Sequence, residues 1–427
     1  MAKRHVPYDA NATQSSDHSH EDRPRHPLAR MVRHAIGRRF HRQHYLLNDR
    51  SPRQILLMDG LFSLKVFEPL NDKRVQIEGE SLAVEKERDI PVVLVPPLGV
   101  YAWIFDLMAE RSLVRYFLAR GYRVYLVDWG QPSPRESHLT LEQYALKWLP
   151  QAVEQVCAHS GQAQVSLLGY CMGGLLSLIY TAAQSTPQGG DRPVQMRVRN
   201  LITIASPVNM HQMNGPAGKI YQMLSGPSGM MKRWTGHELS LFDAQRFHVD
   251  GRVLSVLFRL TQPKATFTSY VELLKHLSDK SYVSRYTTMN EWFSQMPDYP
   301  GATVREMIQR LGLANGMAGG QFKIGEQLID LKKITCSILA FAGANDAITS
   351  ISSATALMSV VGSTDLSFEV VPGGHAGLFT GSSAVQTTWA IAADWLALRS
   401  DASSSLMPSA EHRNGSSTNA SHEVKDA

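Results

Sequence analysis

One six-residue run concentrates the chemistry this chain is equipped for: Gly169-Tyr170-Cys171-Met172-Gly173-Gly174. The apolar stretch Val165 to Leu168 leads straight into it, and a run of helical character, Leu175 to Ala183, follows at once. A cysteine on a sharp strand-to-helix turn occupies a strained backbone position. Glycines two residues to either side keep side chains from clashing with the neighbouring strand and helix. Gly169 and Gly173 fill those places, and Gly174 is a second glycine on the helix side. The oriented N–H groups of a helix N-terminus favour a thiolate there, as would an imidazolium partner. The chemistry this implies is nucleophilic acyl transfer through a thioester on Cys171.

Such a nucleophile needs a base, and the base needs a group to orient it. On a strand–turn–helix scaffold of this kind the acid and base follow the nucleophile in chain order, on loops after the last strands. Asp346 closes Gly343-Ala344-Asn345-Asp346, just beyond the apolar run Ile338 to Phe341. His375 lies in Pro372-Gly373-Gly374-His375-Ala376-Gly377, beyond a run ending at Val371. A lone Asp in a turn is usually a cap, and a lone His is usually a surface or satisfied core residue. In this order and at strand ends, the three residues read as a triad. The other fifteen of the sixteen histidines lack such a setting. The oxyanion hole is expected from the N–H of Met172, the residue after the nucleophile, and from the loop Pro97-Leu98-Gly99-Val100 through Leu98 and Gly99. Pro97 has no N–H to give.

The elements that must hold these groups follow from hydrophobic rhythm. Short apolar runs at 92–95, 124–127, 165–168 and 202–204 alternate with amphipathic stretches at 104–119, 140–158 and 172–184. Strands punctuated by helices of this length predict a mostly parallel sheet of βαβ units flanked by helices. After Ser206 the rhythm breaks for roughly 125 residues, as an inserted cap or lid would break it. The expected organisation is a polar tail at 1–25, a basic amphipathic region at 26–54, a first core part at 55–206, the cap at 207–332, a second core part at 333–400 and a polar tail at 401–427. The tails hold too little apolar surface to fold. Met210, Met213, Met223, Met230 and Met231, with Gly215, Gly218, Gly226 and Gly229 among them, read either as an adaptable apolar lid or as ordinary core filling. Leu28, Val32, Ala35 or Ile36, and Phe40 recur at helical spacing among Arg30, Arg33, Arg38, Arg39 and Arg42. That pattern reads either as a helix docked on its own domain with a solvated basic face, or as one that binds a granule, lipid or partner surface.

Composition narrows the classes. Forty-three basic against thirty-eight acidic residues leave a formal charge of +5, too mild to argue for nucleic acid as a partner. The three cysteines, Cys157, Cys171 and Cys336, fit neither a disulfide framework nor a metal site, and a reducing compartment is expected. With no signal-like start and no long apolar run, the expectation is a cytoplasmic protein without a transmembrane segment.

Over about residues 55–398 the chain resembles the polyhydroxyalkanoate synthases, in particular the catalytic subunit of the two-component enzymes. The resemblance is carried by the elbow with its cysteine and second glycine, Tyr125-Leu126-Val127-Asp128-Trp129-Gly130, Glu291-Trp292-Phe293, Ile329-Asp330-Leu331 and Gly373-Gly374-His375. It implies the α/β-hydrolase fold with an inserted cap. It also implies acylation of Cys171 by a 3-hydroxyacyl-CoA, His375 as the base that generates the thiolate, and Asp346 as a group that helps activate the 3-hydroxyl for chain transfer. The ligands would be the acyl-CoA, as substrate rather than cofactor, and the growing polyester, with no metal or other cofactor. A second synthase subunit, a homodimer and the polyester granule surface are the implied partners and location. Three positions depart from the family pattern: Ala347 where many members have His, Gly99-Val100 where many have Asn and a basic residue, and Met172 where Ile, Val or Gln is commoner. The triad alone leaves a thioesterase or an intracellular polyester depolymerase open, since the same residues can serve water.

Overall fold

The computed structural model describes residues 26–47, 51–184, 196–224, 247–260 and 263–400. Eight strands form one sheet: β1 (Arg53–Asp59), β2 (Phe62–Phe67), β3 (Val92–Val95), β4 (Val124–Asp128), β5 (Val165–Tyr170), β6 (Val198–Ile204), β7 (Ser337–Gly343) and β8 (Leu366–Val371). Their order is β1-β2-β4-β3-β5-β6-β7-β8. The β1–β2 and β2–β4 pairs are antiparallel, and every other pair is parallel. This is the mostly parallel sheet expected from the alternating runs, in the α/β-hydrolase arrangement that the family resemblance implies.

The central strands are buried along both faces, so their side chains divide by parity between two cores. Val93, Val95 and Leu167 join α3 (Leu149–Ser160) and α4 (Met172–Gln184) on one side. Val92, Leu94 and Leu168 join α2 (Leu113–Ala119) and the final helix Ala390–Ala397 on the other. Register sets what this sheet presents at its carboxyl edge. Val95 pairs with Gly169, Tyr170 with Ile204, Ile204 with Phe341, and Gly343 with Val371. The loops leaving β3, β5, β7 and β8 therefore emerge side by side, where ligands of such sheets bind.

The cap lies between β6 and β7. It includes α5 (Gly215–Leu224), α6 (Gly251–Leu260), α7 (Pro263–Lys275), α8 (Lys280–Ser294), a short helix Gly301–Glu306 and a hairpin of Gln321–Ile324 with Gln327–Asp330. Buried polar ties fasten it to the sheet domain. Glu306 Oε2 accepts from the Leu141 N–H at 2.8 Å, and Thr303 Oγ1 donates to the Leu139 carbonyl at 2.7 Å. Of the methionines, Met210 is buried in the main core and Met213 packs on it, while Met223 is exposed. Gly226, Gly229, Met230, Met231 and both tails lie outside the described residues.

Several expectations need correction. The stretch 104–119 is not one helix. A 3-10 turn at Ala102–Phe105 and a short hairpin of Asp106–Met108 with Arg111–Ser112 precede α2. The reason is Asp106, a buried carboxylate that takes hydrogen bonds from Ser51 Oγ (2.7 Å), the Ser51 N–H (3.2 Å) and Ser112 Oγ (2.6 Å). Within 140–158, a π-helical turn at Gln143–Trp148 precedes α3. Pro150 lacks the N–H that a continuous α-helix would donate to Leu146, and a widened turn before it absorbs the defect. The antiparallel β1–β2 hairpin was not legible, because β1 is an edge strand with Ile55 and Met58 turned to solvent.

Helix α1 (Pro27–Phe40) forms where the spacing predicts, but its orientation is the reverse of a helix docked by its apolar face. Leu28, Val32, Ile36 and Phe40 are 63, 57, 53 and 73 % exposed. The helix docks instead through His34 and Gly37. His34 Nδ1 bonds the Leu277 carbonyl at 2.8 Å, and a Cβ on Gly37 would lie 2.7 Å from the Tyr45 hydroxyl. No helix among the described residues is long and apolar enough to cross a membrane.

Candidate active site

Cys171 stands between β5 and α4 with φ +51°, in the left-handed region that β-carbon-bearing residues seldom occupy. Its N–H donates to the Ile204 carbonyl at 2.8 Å, and its own carbonyl accepts from Gly174 (3.1 Å) and Leu175 (3.3 Å), which starts α4. The turn closes only because its glycines are bare. A Cβ on Gly169 would come within 2.5 Å of Gly174 Cα, one on Gly173 within 2.1 Å of the Val95 carbonyl oxygen, and one on Gly174 within 2.0 Å of Ser206 Oγ. The Gly173 contact also brings the loop after β3 against the elbow.

Asp346 and His375 meet at the ends of β7 and β8. His375 Nδ1 and Asp346 Oδ2 are 2.8 Å apart, and both side chains are buried. The second carboxylate oxygen, Oδ1, accepts from the N–H groups of Ile348 (2.8 Å) and Thr349 (2.9 Å). Asn214, from the start of the cap, donates to the Asp346 carbonyl at 2.6 Å. Cross-bonds between the two loops fix their spacing: Ala344 N–H to the Val371 carbonyl at 2.9 Å, and Asn345 N–H to the Gly373 carbonyl at 3.0 Å. Gly373, at φ +126°, supplies a turn that few other residues would adopt. Burial pushes the His375 imidazole down. The charge of Cys171 and the hydrogen bonds to Asp346 and Cys171 outweigh it and hold the group up at about 10.

Of the residues expected for the oxyanion hole, Met172 opens α4 directly after the nucleophile, and Leu98 and Gly99 lie in the loop after β3. Leu98 anchors that loop by its side chain in the core. Gly99 is covered by a residue that sequence reasoning missed. A Cβ there would lie 2.6 Å from the ring of Tyr299 and 3.1 Å from its hydroxyl. Tyr299 is held by mutual backbone bonds with Val249 (2.9 and 3.1 Å) and follows Asp298, which pairs with His248 Nε2 at 2.9 Å. Burial and then the nearby Cys171 charge push its phenol far up. The signal that would have flagged it is an aromatic held between Pro297 and Pro300. Tyr170 is a second unforeseen contributor, donating from its hydroxyl to the His375 carbonyl at 3.1 Å. Cys171, Val100, Trp103, Met289 and Phe293 are all partly buried against the same apolar core.

This arrangement can transfer a proton between sulfur and an oriented imidazole beside backbone donors. An alpha/beta hydrolase fold family model matches residues 91–382. The chain is 30 % identical over 334 residues to a poly(3-hydroxyalkanoate) polymerase subunit of Haloferax mediterranei, covering 77 % of this chain and 62 % of that protein. It is 28 % identical to the corresponding subunit of Allochromatium vinosum, covering 72 % of this chain and 80 % of that one. For the subunit of Synechocystis sp. the figures are 28 %, 74 % and 80 %. The chain thus spans less than two thirds of the haloarchaeal relative and about four fifths of the other two. Sheet order, elbow and relatives agree: the chain belongs to the alpha/beta hydrolase fold family and, within it, to the polyhydroxyalkanoate synthases.

Proposed function

We propose that this chain polymerises 3-hydroxyacyl-CoA into polyester with release of CoA, through a covalent thioester on Cys171. The observation that carries the reading is a cysteine, not a serine, on the elbow, with an imidazole that Asp346 orients close enough for the charge of Cys171 to raise it. Cys171 Sγ attacks the acyl-CoA carbonyl, the carbonyl oxygen draws on the Met172 N–H and the loop at Leu98 and Gly99, and the CoA thiolate leaves with a proton from His375. The 3-hydroxyl of the next acyl group then gives its proton to His375, attacks the Cys171 thioester and forms the ester while the cysteine sulfur leaves. A thioester keeps the acyl group activated for this second step, where a serine ester would be a poorer donor. Because both oxygens of Asp346 are occupied, its carboxylate acts through His375 in both halves of the cycle rather than touching the hydroxyl. This revises the role the family resemblance implies for Asp346.

The relatives are named polymerase subunits, which supports a second subunit as partner. The family resemblance implies a reaction in the cytoplasm at the polyester granule surface. The test is CoA release from 3-hydroxybutyryl-CoA by the purified chain, alone and with a candidate second subunit, with the product analysed. Insoluble polymer, abolished by Cys171→Ala, is expected. Free 3-hydroxy acid would make the chain a thioesterase, and full turnover by Cys171→Ala would overturn the mechanism.

A further inference from the structure

Helix α1 and the cap enclose a cavity of about 420 Å3 whose lining includes Arg38, Arg39, Arg42 and Arg259 together with Tyr270 and Leu274. Four guanidinium groups around one space would repel one another unless anions compensated them. Among the described residues, Arg42 alone of the four has a carboxylate partner, Glu291. Arg259 bonds neutral groups, Asn290 Oδ1 and Ser294 Oγ, while Arg38 lies over the Tyr286 ring and Arg39 over the Phe40 ring. Among the described residues, no carboxylate pairs with Arg38, Arg39 or Arg259.

A second observation adjoins the first. The face of α1 turned away from the domain carries Leu28, Val32, Ile36 and Phe40, all more than half exposed. Residues 26–47 contain five arginines and no acidic residue. Tyr270 and Leu274, on the cavity wall opposite α1, are themselves about half exposed. An aliphatic stripe flanked by arginines, beside a cavity with unpaired guanidinium groups, matches the interface of a phospholipid layer. The stripe would enter the acyl boundary, and the arginines would take phosphates bidentately.

We infer that α1 and the arginine-lined cavity beside it form a peripheral binding surface for anionic phospholipid. The attraction is electrostatic and hydrophobic together, so neither component alone suffices, and α1 lies flat on the surface rather than crossing it. The inference stands apart from the polymerase reading, since none of these residues lies in the Cys171 site.

The experiment is flotation of the full-length protein with vesicles of phosphatidylcholine alone and of phosphatidylcholine containing phosphatidylglycerol. Binding to the anionic vesicles only is expected. Arg38→Gln with Arg39→Gln should weaken it by about fivefold per arginine, and Val32→Ser with Ile36→Ser should release the protein while thermal unfolding stays unchanged, because these side chains are exposed. Equal binding to both vesicle types, or anionic binding that survives both double variants, would overturn the inference. Two further outcomes would also overturn it: inorganic phosphate raising the unfolding temperature through Arg38 and Arg39 without any flotation, which makes the cavity a soluble-anion site, and self-association abolished by Ile36→Ser without flotation, which makes the stripe a contact between copies.

Discussion

Asp346 grips His375 with one carboxylate oxygen, at 2.8 Å, while the N–H groups of Ile348 and Thr349 hold the other at 2.8 and 2.9 Å. The carboxylate is thus fixed by the backbone of its own loop before it meets the imidazole. Its rotation, and with it the ring of His375, is determined by the turn that follows β7.

Asp346→Asn should therefore slow enzyme acylation and chain elongation by the same factor, about 10²–10⁴, by analogy with the loss when an orienting carboxylate is neutralised. Rapid-quench acylation with 3-hydroxybutyryl-CoA, set beside steady-state polymer formation, measures both. Acylation spared while elongation fails would instead place the carboxylate on the substrate hydroxyl.

The raised imidazole has a consequence for stability. A group whose pKa is higher folded than unfolded binds protons more tightly in the native state. Its contribution is present in full below the unfolded value, about 6.5 for histidine, and is lost as pH rises through the folded value of about 10. Cys171→Ser removes the charge that stands first among those raising His375, so the variant should lose less stability than the parent between pH 7 and pH 10. Urea midpoints of the two proteins at both pH values test this, and the titrating groups other than Cys171 itself cancel in the comparison.

Two glycines of the site should respond differently to the same methyl group. At Gly173 the added Cβ meets the Val95 backbone oxygen at 2.1 Å, whereas at Gly99 it meets the Tyr299 ring at 2.6 Å. Backbone in the middle of the sheet cannot yield, but a side chain can be shortened. Gly99→Ala should cost about 1–3 kcal/mol, the usual range for overpacking, and that cost should vanish in a Tyr299→Leu background. Gly173→Ala should cost more and find no rescue there. Denaturant titration of the double-mutant cycle provides the check.

Asp106 supplies a prediction remote from the chemistry. Asp106→Ala leaves Ser51 and Ser112 donors facing a buried void and should destabilise the fold by about 2–4 kcal/mol. Turnover per folded molecule should be unaffected, as paired unfolding and activity measurements would show.

The sequence by itself pointed to the candidate site residues and predicted the parallel part of the sheet. Chemistry that depends on residue type at a fixed local spacing is written locally: a Cys with glycines two residues either side, between an apolar run and a helical one, has few alternatives. Chain order and strand-end position then pointed to Asp346 and His375, and parity of apolar residues predicted buried parallel strands. Tertiary structure decided what depends on residues far apart in the chain. That Tyr299 from the cap lies on Gly99, that Ile348 and Thr349 saturate Asp346, and that Asp106 breaks a predicted helix by gathering Ser51 and Ser112 are long-range pairings with no local periodicity to announce them. The facing of α1 is the plainest case. Its amphipathic spacing established that a helix would form, but spacing does not say which face meets the domain. His34, Gly37 and Tyr45 make that contact by fit and hydrogen bonding, and Leu28, Val32, Ile36 and Phe40 are left outward.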